Sequence, residues 1–149
     1  MMRMIAAGAA ALWAGAAAAE DPAFGRWLTP EGDAVVEIGP CGQAACGWIV
    51  ALREDVAPAG APLQDGRNPD PDLRGRPICG LRMIEGLRRA GPGEWVDGRL
   101  YNSRNGRTYT GRIAVGPDGR LTLRGYVGLP IFGESQVWSR AGEGAPREC

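Results

Sequence analysis

Downstream of residue 23 the chain alternates apolar and polar side chains in short runs, and turn-forming residues separate the runs. A two-residue period is what a strand with one buried face requires. The runs predict strands at 24–28, 33–39, 46–53, 81–88, 94–102, 107–115, 120–127 and 134–140. Between them, Asn105-Gly106 is a strong two-residue hairpin signal, and Pro117-Asp118-Gly119 carries the residues of a tight turn. No heptad seam or long helical period competes with this reading. Eight short strands with mostly short connections predict an all-β fold, a single small antiparallel up-and-down β-barrel.

The alternation also predicts faces. Val96, Gly98, Leu100, Tyr109, Gly111, Ile113, Val115, Leu121, Leu123, Gly125 and Val127 fall on one apolar side. Three glycines inside strands mark bends or close approaches, as a tightly coiled barrel needs. The other side carries Trp95, Asp97, Arg99, Tyr101, Thr108, Thr110, Arg112, Thr122, Arg124 and Tyr126. The aliphatic side is expected to face inward. The reverse orientation would line a cavity with Arg99, Arg112 and Arg124 for an anionic ligand. Buried arginines need partners, and Asp97 alone cannot pair three.

Two connections stand out. Residues 54–80 lack alternation and hold five prolines. A loop of that length in a small domain is a lid, a binding segment or disordered. Its half from Asp65 to Pro77 is dense in turn-capping Asp and Asn, while Arg74 and Arg76 can fork onto carboxylates. This half is expected to be ordered against the barrel, with 55–64 looser. Asp65, Asn68, Asp70 and Asp72 are oxygen donors at short spacing, but they lack the calcium-loop pattern and its closing Glu. No metal or cofactor is expected. The second connection, Gly128-Leu-Pro-Ile-Phe-Gly133, is apolar. Such a tip more often folds over the end of the core; the alternatives are the lip of a ligand cavity or a partner contact.

Composition narrows the chemistry. The 149 residues hold 17 arginines, no lysine, 17 acids and no histidine, for a formal net charge of zero. The missing histidine excludes a Ser-His-Asp triad, a Cys-His pair and His-ligated zinc. Balanced charge without a basic stripe argues against nucleic acid. At the N-terminus, Arg3 precedes an uncharged run from Met4 to Ala19 that closes on three alanines. That is the pattern of a cleaved signal peptide at 1–19, too short and too alanine-rich for a spanning helix. Residues 20–149 would form the single domain, with its core at 23–140 and a tail at 141–149. The expected location is periplasmic or secreted, without stable membrane insertion. An oxidising compartment makes disulfides the default. Cys41 and Cys46 lie between two strand-like runs and would face each other across a hairpin, which leaves Cys79 to pair with Cys149.

Several of these motifs resemble a known family when taken in order. They are Gly25-Arg26-Trp27, the Cys41/Cys46-Gly47 hairpin, the loop from Asn68 to Pro77, Tyr101 through Tyr109, Arg124-Gly125-Tyr126 and Val137-Trp138-Ser139-Arg140. The set resembles the exported bacterial family catalogued as domain of unknown function 2147, over about residues 23–140. Arg107 stands where that family usually has Lys, and Ser103 where a Pro is common. The resemblance implies export and a small β-rich domain, and it supplies no catalytic residues. In architecture, Gly-x-Trp in the first strand and an Arg closing the last are similar to lipocalin and calycin barrels. There the Trp plugs the closed end and the Arg packs across it, so the resemblance puts Trp27 and Arg140 in those places as a cation–π pair.

The leading functional expectation is a monomeric binding module for a small amphipathic or anionic molecule. Its candidate contacts from the long loop are Asp65, Asn68, Asp70, Arg74 and Arg76. Trp95, Tyr101, Arg124 and Phe132 complete the set. The alternative is a packed barrel that binds or inhibits another exported protein. Catalysis ranks last, because no carboxylate pair is identifiable. Eight strands leave room only for side chains or one small ligand.

Overall fold

Each strand of the chain pairs antiparallel with the next, and the last returns to the first, closing a barrel. The computed structural model describes residues 20–56 and 63–149. The expected signal peptide at 1–19, and residues 57–62 of the stretch expected to be looser, lie outside the described residues. The strands are β1 (Gly25–Leu28), β2 (Ala34–Cys41), β3 (Ala44–Leu52), β4 (Arg82–Gly91), β5 (Glu94–Asn102), β6 (Arg107–Val115), β7 (Leu121–Tyr126) and β8 (Glu134–Arg140). Short 3-10 turns at Pro71–Leu73 and Pro130–Phe132 interrupt the two long connections. The expected all-β, eight-stranded, lipocalin-like barrel is the architecture seen.

The aliphatic side does face inward. Ile84, Leu87, Leu100, Ile113, Leu121 and Leu123 are buried in one core with Trp27, Val36, Ile38, Trp95 and Trp138. Burying each large aliphatic side chain contributes about 1.5–3 kcal/mol. Glycines make room for them. Gly98, Gly111 and Gly125 are register partners across β5, β6 and β7, forming one row. A Cβ at Gly98 would come 2.6 Å from Leu87 Cδ2, and one at Gly111 would fall within the Leu100 side chain. The glycine row is therefore the floor on which Leu87 and Leu100 lie, and those two fill the middle of the barrel.

Four face assignments are corrected. Val96 was expected on the apolar side but lies on the outer wall, opposite exposed Arg88, because a bulge in β5 puts it out of phase with Gly98 and Leu100. Trp95 was expected on the polar side but is buried in the core. The β5–β6 register shifts between Trp95 and Gly98, and Asp97 adopts φ 57°. This bulge inserts a residue and turns Trp95 inward. Val127 was expected on the apolar side but is solvent-exposed, because β7 ends at Tyr126. Tyr126, assigned to the polar side, is buried and packs beneath Gly133 of the returning loop.

Both ends of the barrel are covered. At one end residues 20–24 fold under the opening. Trp27 is fully buried and donates to Ala23 O at 2.9 Å, and the Arg140 guanidinium lies 3.9 Å from the Trp27 ring centre. Asp21 gathers Ala23 N–H, Gly93 N–H, Trp95 Nε1 and Arg89 Nε. Burial pushes its carboxyl pKa up, but these hydrogen bonds outweigh burial and hold it below the ordinary value. At the other end the β3–β4 connection crosses the opening and sends Ile78 and Leu81 into the core. A Cys79–Cys149 disulfide ties this segment to the C-terminal tail, where Glu148 bridges Ala51. Cys41–Cys46 clamps the β2–β3 hairpin.

Candidate functional site

The β3–β4 connection is organised by one carboxylate. Residues 63–78 fold back on themselves through Ile78 N–H to Leu63 O and Asp65 N–H to Arg76 O. This turns the Asp65 side chain inward until it is wholly buried. There it accepts from Tyr101 Oη at 2.6 Å, Asn68 Nδ2 at 2.9 Å and Arg76 Nε at 2.9 Å. Burial raises the Asp65 pKa, but the bonds from Tyr101, Asn68 and Arg76 overcome it and hold the carboxyl below its ordinary value. Burial and the facing carboxylate push the Tyr101 pKa up. The Arg76 guanidinium also lies 5.5 Å from the Tyr101 ring centre. With its lone pairs engaged by three donors, Asp65 fastens the connection to β5 and has little capacity left for a ligand.

The neighbouring polar residues are committed as well. Asn68 Oδ1 accepts from Asp70 N–H, Asp70 Oδ1 accepts from Asp72 N–H, and Arg74 Nε donates to Asn68 O. These are the turn-capping roles that short Asp and Asn side chains favour. Among the described residues no group of three or more His, Cys, Asp or Glu side chains is placed to hold a metal ion. A shallow groove of about 290 Å³ runs outside this network, past Pro69, Met83, Arg99 and Thr108.

A larger groove, of about 560 Å³, lies on the outer wall of β5, β6 and β7. The β7–β8 loop folds back along this wall and forms its lip with Pro130 and Ile131. Arg124 anchors the loop, donating from Nε to Pro130 O and from Nη1 to Ser135 Oγ, each at 2.8 Å. The loop does not fold over the end of the core, as such a tip more often does. Val127, Leu129, Ile131 and Phe132 are 71, 61, 75 and 74% exposed. Asp65 and Arg76 already hold the barrel end, which leaves this apolar tip outside. Arg112 and Val96 line the same groove.

The nine candidate contacts therefore divide among three places. Asp65, Asn68, Asp70, Arg74, Arg76 and Tyr101 belong to the latch over one barrel end. Trp95 lies in the core near the other end, against Phe24, with ring centres 5.6 Å apart. Arg124 and Phe132 belong to the outer wall and its loop. Arg99, Arg112 and Arg124 line no internal cavity, since all three project from the outer wall. Arg112 and Ile131 are groove residues that the candidate set omitted. The hairpin turn at Pro117-Asp118-Gly119 carries the signal for Arg112, because the register it sets places Arg112 opposite Arg124.

The family model described as "Uncharacterized protein conserved in bacteria (DUF2147)" matches residues 25–140. No curated protein matches the chain in sequence. Among solved structures, the chain is similar to protein HP1028 from Helicobacter pylori, described as belonging to the lipocalin family. The TM-score is 0.71 at 23% identity, over 81% of this chain and 84% of that one. At that identity the likeness concerns the fold. Among the described residues no helix is long and apolar enough to cross a membrane.

Proposed function

The chain belongs to the bacterial DUF2147 family, and from that premise we propose that it is an exported, non-catalytic binding module that carries a small amphipathic ligand on the outside of a filled barrel. One observation carries this reading. Leu87 and Leu100 occupy the middle of the barrel and both ends are covered, while the lined groove of about 560 Å³ sits on the outer wall. Small-ligand sites have volumes of about 300–1,000 Å³, with apolar walls and a few placed polar groups. Pro130 and Ile131 supply apolar lip, and Thr122 and Ser135 supply hydroxyls. Export rests on the N-terminal pattern of residues 1–19 and on two disulfides.

Native mass spectrometry of the protein taken from the periplasm tests the proposal. The expected result is a chain beginning at Glu20 with a small-molecule adduct, and an Ile131→Asp variant without it. A protein found only in the cytoplasm, or an adduct that Ile131→Asp leaves in place, overturns it. A second reading, a protein partner seated on the tip, draws on the exposure of Leu129 and Phe132. A stoichiometric protein complex in place of the adduct selects that reading.

A further inference from the structure

We propose that Arg112 and Arg124 form a head-group seat within the outer groove, and that its ligand is a single-chain amphiphile with a carboxylate or phosphate head. The inference rests on the reading that the groove is the binding surface, and it names the chemistry of the ligand.

Arg112 and Arg124 are direct register partners across β6 and β7, and both side chains line the groove. Like charges directly opposite on a sheet face repel and destabilise it. Several arginines elsewhere are relieved by acids, such as Arg26 by Glu148, Arg76 by Asp65, Arg88 by Asp97 and Arg104 by Asp33. Others are not, but the distinguishing feature of Arg112 and Arg124 is that they face each other directly. Neither Arg112 nor Arg124 makes an ion pair among the described residues. Arg124 is also held in place. Its Nε and Nη1 are engaged by Pro130 O and Ser135 Oγ, which leaves Nη2–H for a ligand. Arg112 makes no side-chain hydrogen bond among those described and keeps its whole fork. An anion between the two guanidiniums would convert repulsion into two charge-assisted contacts.

The rest of the groove sets the shape of the ligand. Val96 and Ile131 offer apolar wall to a chain leaving the head group. Glu94 lines the groove as well, and its carboxylate disfavours a second anionic group there. A ligand with a second, separate anionic group is thus a poor match, and one head with one tail is a good one. The volume of about 560 Å³ suits a single chain rather than a two-chain phospholipid. The source we assign is therefore a free single-chain amphiphile, not a bilayer surface.

The test uses the exported chain with both disulfides formed, titrated calorimetrically with three probes kept monomeric, below micelle concentration or solubility limit: dodecanoate, dodecyl phosphate and neutral dodecanol. The two anions should bind at least tenfold more tightly than the alcohol. Arg112→Gln should reduce anion affinity tenfold or more, leave dodecanol unchanged, and leave the thermal midpoint of the free protein equal or higher, because a like charge has gone. Arg112→Lys should keep part of the anion affinity. Equal affinity for alcohol and anions, or full anion affinity in Arg112→Gln, overturns the head-group seat. Ile131→Asp separates the two levels. If it abolishes binding of every probe while Arg112→Gln has no effect, the groove stands and the seat falls. If neither variant changes binding, both fall. Binding to phosphatidylglycerol vesicles without binding to monomeric dodecanoate or dodecyl phosphate overturns the single-chain assignment.

Discussion

The guanidinium of Arg140 lies 3.9 Å from the centre of the Trp27 ring while donating to the carbonyls of Phe24 at 2.7 Å and Pro22 at 2.5 Å. One side chain thus stacks on the base of the core and holds the segment that covers it. A lysine can keep the charge but cannot stack a plane and fork onto two carbonyls together. Arg140→Lys should lower unfolding stability by about 1 kcal/mol and Arg140→Ala by about 2 kcal/mol. Urea unfolding of the three proteins measures this. Indistinguishable Lys and wild-type midpoints would show that the geometry contributes nothing beyond charge.

Gly111 and Leu100 should behave as one unit. Gly111→Ala drives a methyl group into the Leu100 side chain and should cost about 3 kcal/mol, at the upper end for overpacking. Leu100→Ala alone should cost about 2–5 kcal/mol through the cavity it leaves. In the double variant the methyl occupies part of that cavity, so the combined loss should fall short of the sum by about 1–2 kcal/mol. Strict additivity in denaturant melts would mean that the two do not share space.

The Tyr101–Asp65 bond makes a pH-dependent prediction. Tyr101→Phe removes a hydrogen bond to a buried carboxylate and should cost about 2 kcal/mol at pH 7. The Asp65 pKa is depressed below 3.8 in the folded protein. Its contribution is therefore complete above the unfolded value and fades as pH falls through the folded one. The gap between wild type and Tyr101→Phe should narrow in strong acid. The Tyr101 pKa is raised above 10.0, so its own contribution is complete below that value and fades as pH rises through the folded one. Stability curves from pH 2 to 11 would show both flanks, and a gap that stays constant in acid would exclude Asp65 as the acceptor.

The two disulfides should differ in weight. Cys79–Cys149 spans 70 positions and Cys41–Cys46 spans 5. Chain entropy assigns the long loop about 4 kcal/mol and the short one about 2 kcal/mol. Replacing each pair by serine and comparing urea midpoints tests the ratio. A larger loss from the hairpin pair would show that strain or tail packing outweighs loop closure.

Most of the barrel could be read from local pattern, because strand period and turn chemistry are encoded within a few residues. Asn105-Gly106 and Pro117-Asp118-Gly119 mark the places of the β5–β6 and β6–β7 hairpins, and with them the glycine row. The β5–β6 connection is nevertheless the four residues 103–106 rather than the two-residue turn expected, since Asn102 pairs with Arg107. Trp95 escaped because a bulge leaves no mark in simple alternation; the cost of φ 57° at Asp97 is borne by tertiary packing. The latch was legible only in part. Asp65 and Arg76 stood out as polar residues in an odd loop, but the burial of Asp65 against Tyr101 depends on residues 36 positions apart. The outer groove was the least legible feature. It exists because the β7–β8 loop turns back along the outer wall of the strands that precede it, and strand alternation carries no mark of that return.

The barrel is also a hoop with a clasp. β6 and β7 share six residue pairs, whereas β1 and β8 share only Trp27 with Arg140 and Leu28 with Ser139. Local opening starts where the ladder is shortest. Amide exchange at β1 and β8 should therefore outpace that at β6 and β7, with water reaching the interior sideways at this seam rather than through either covered end.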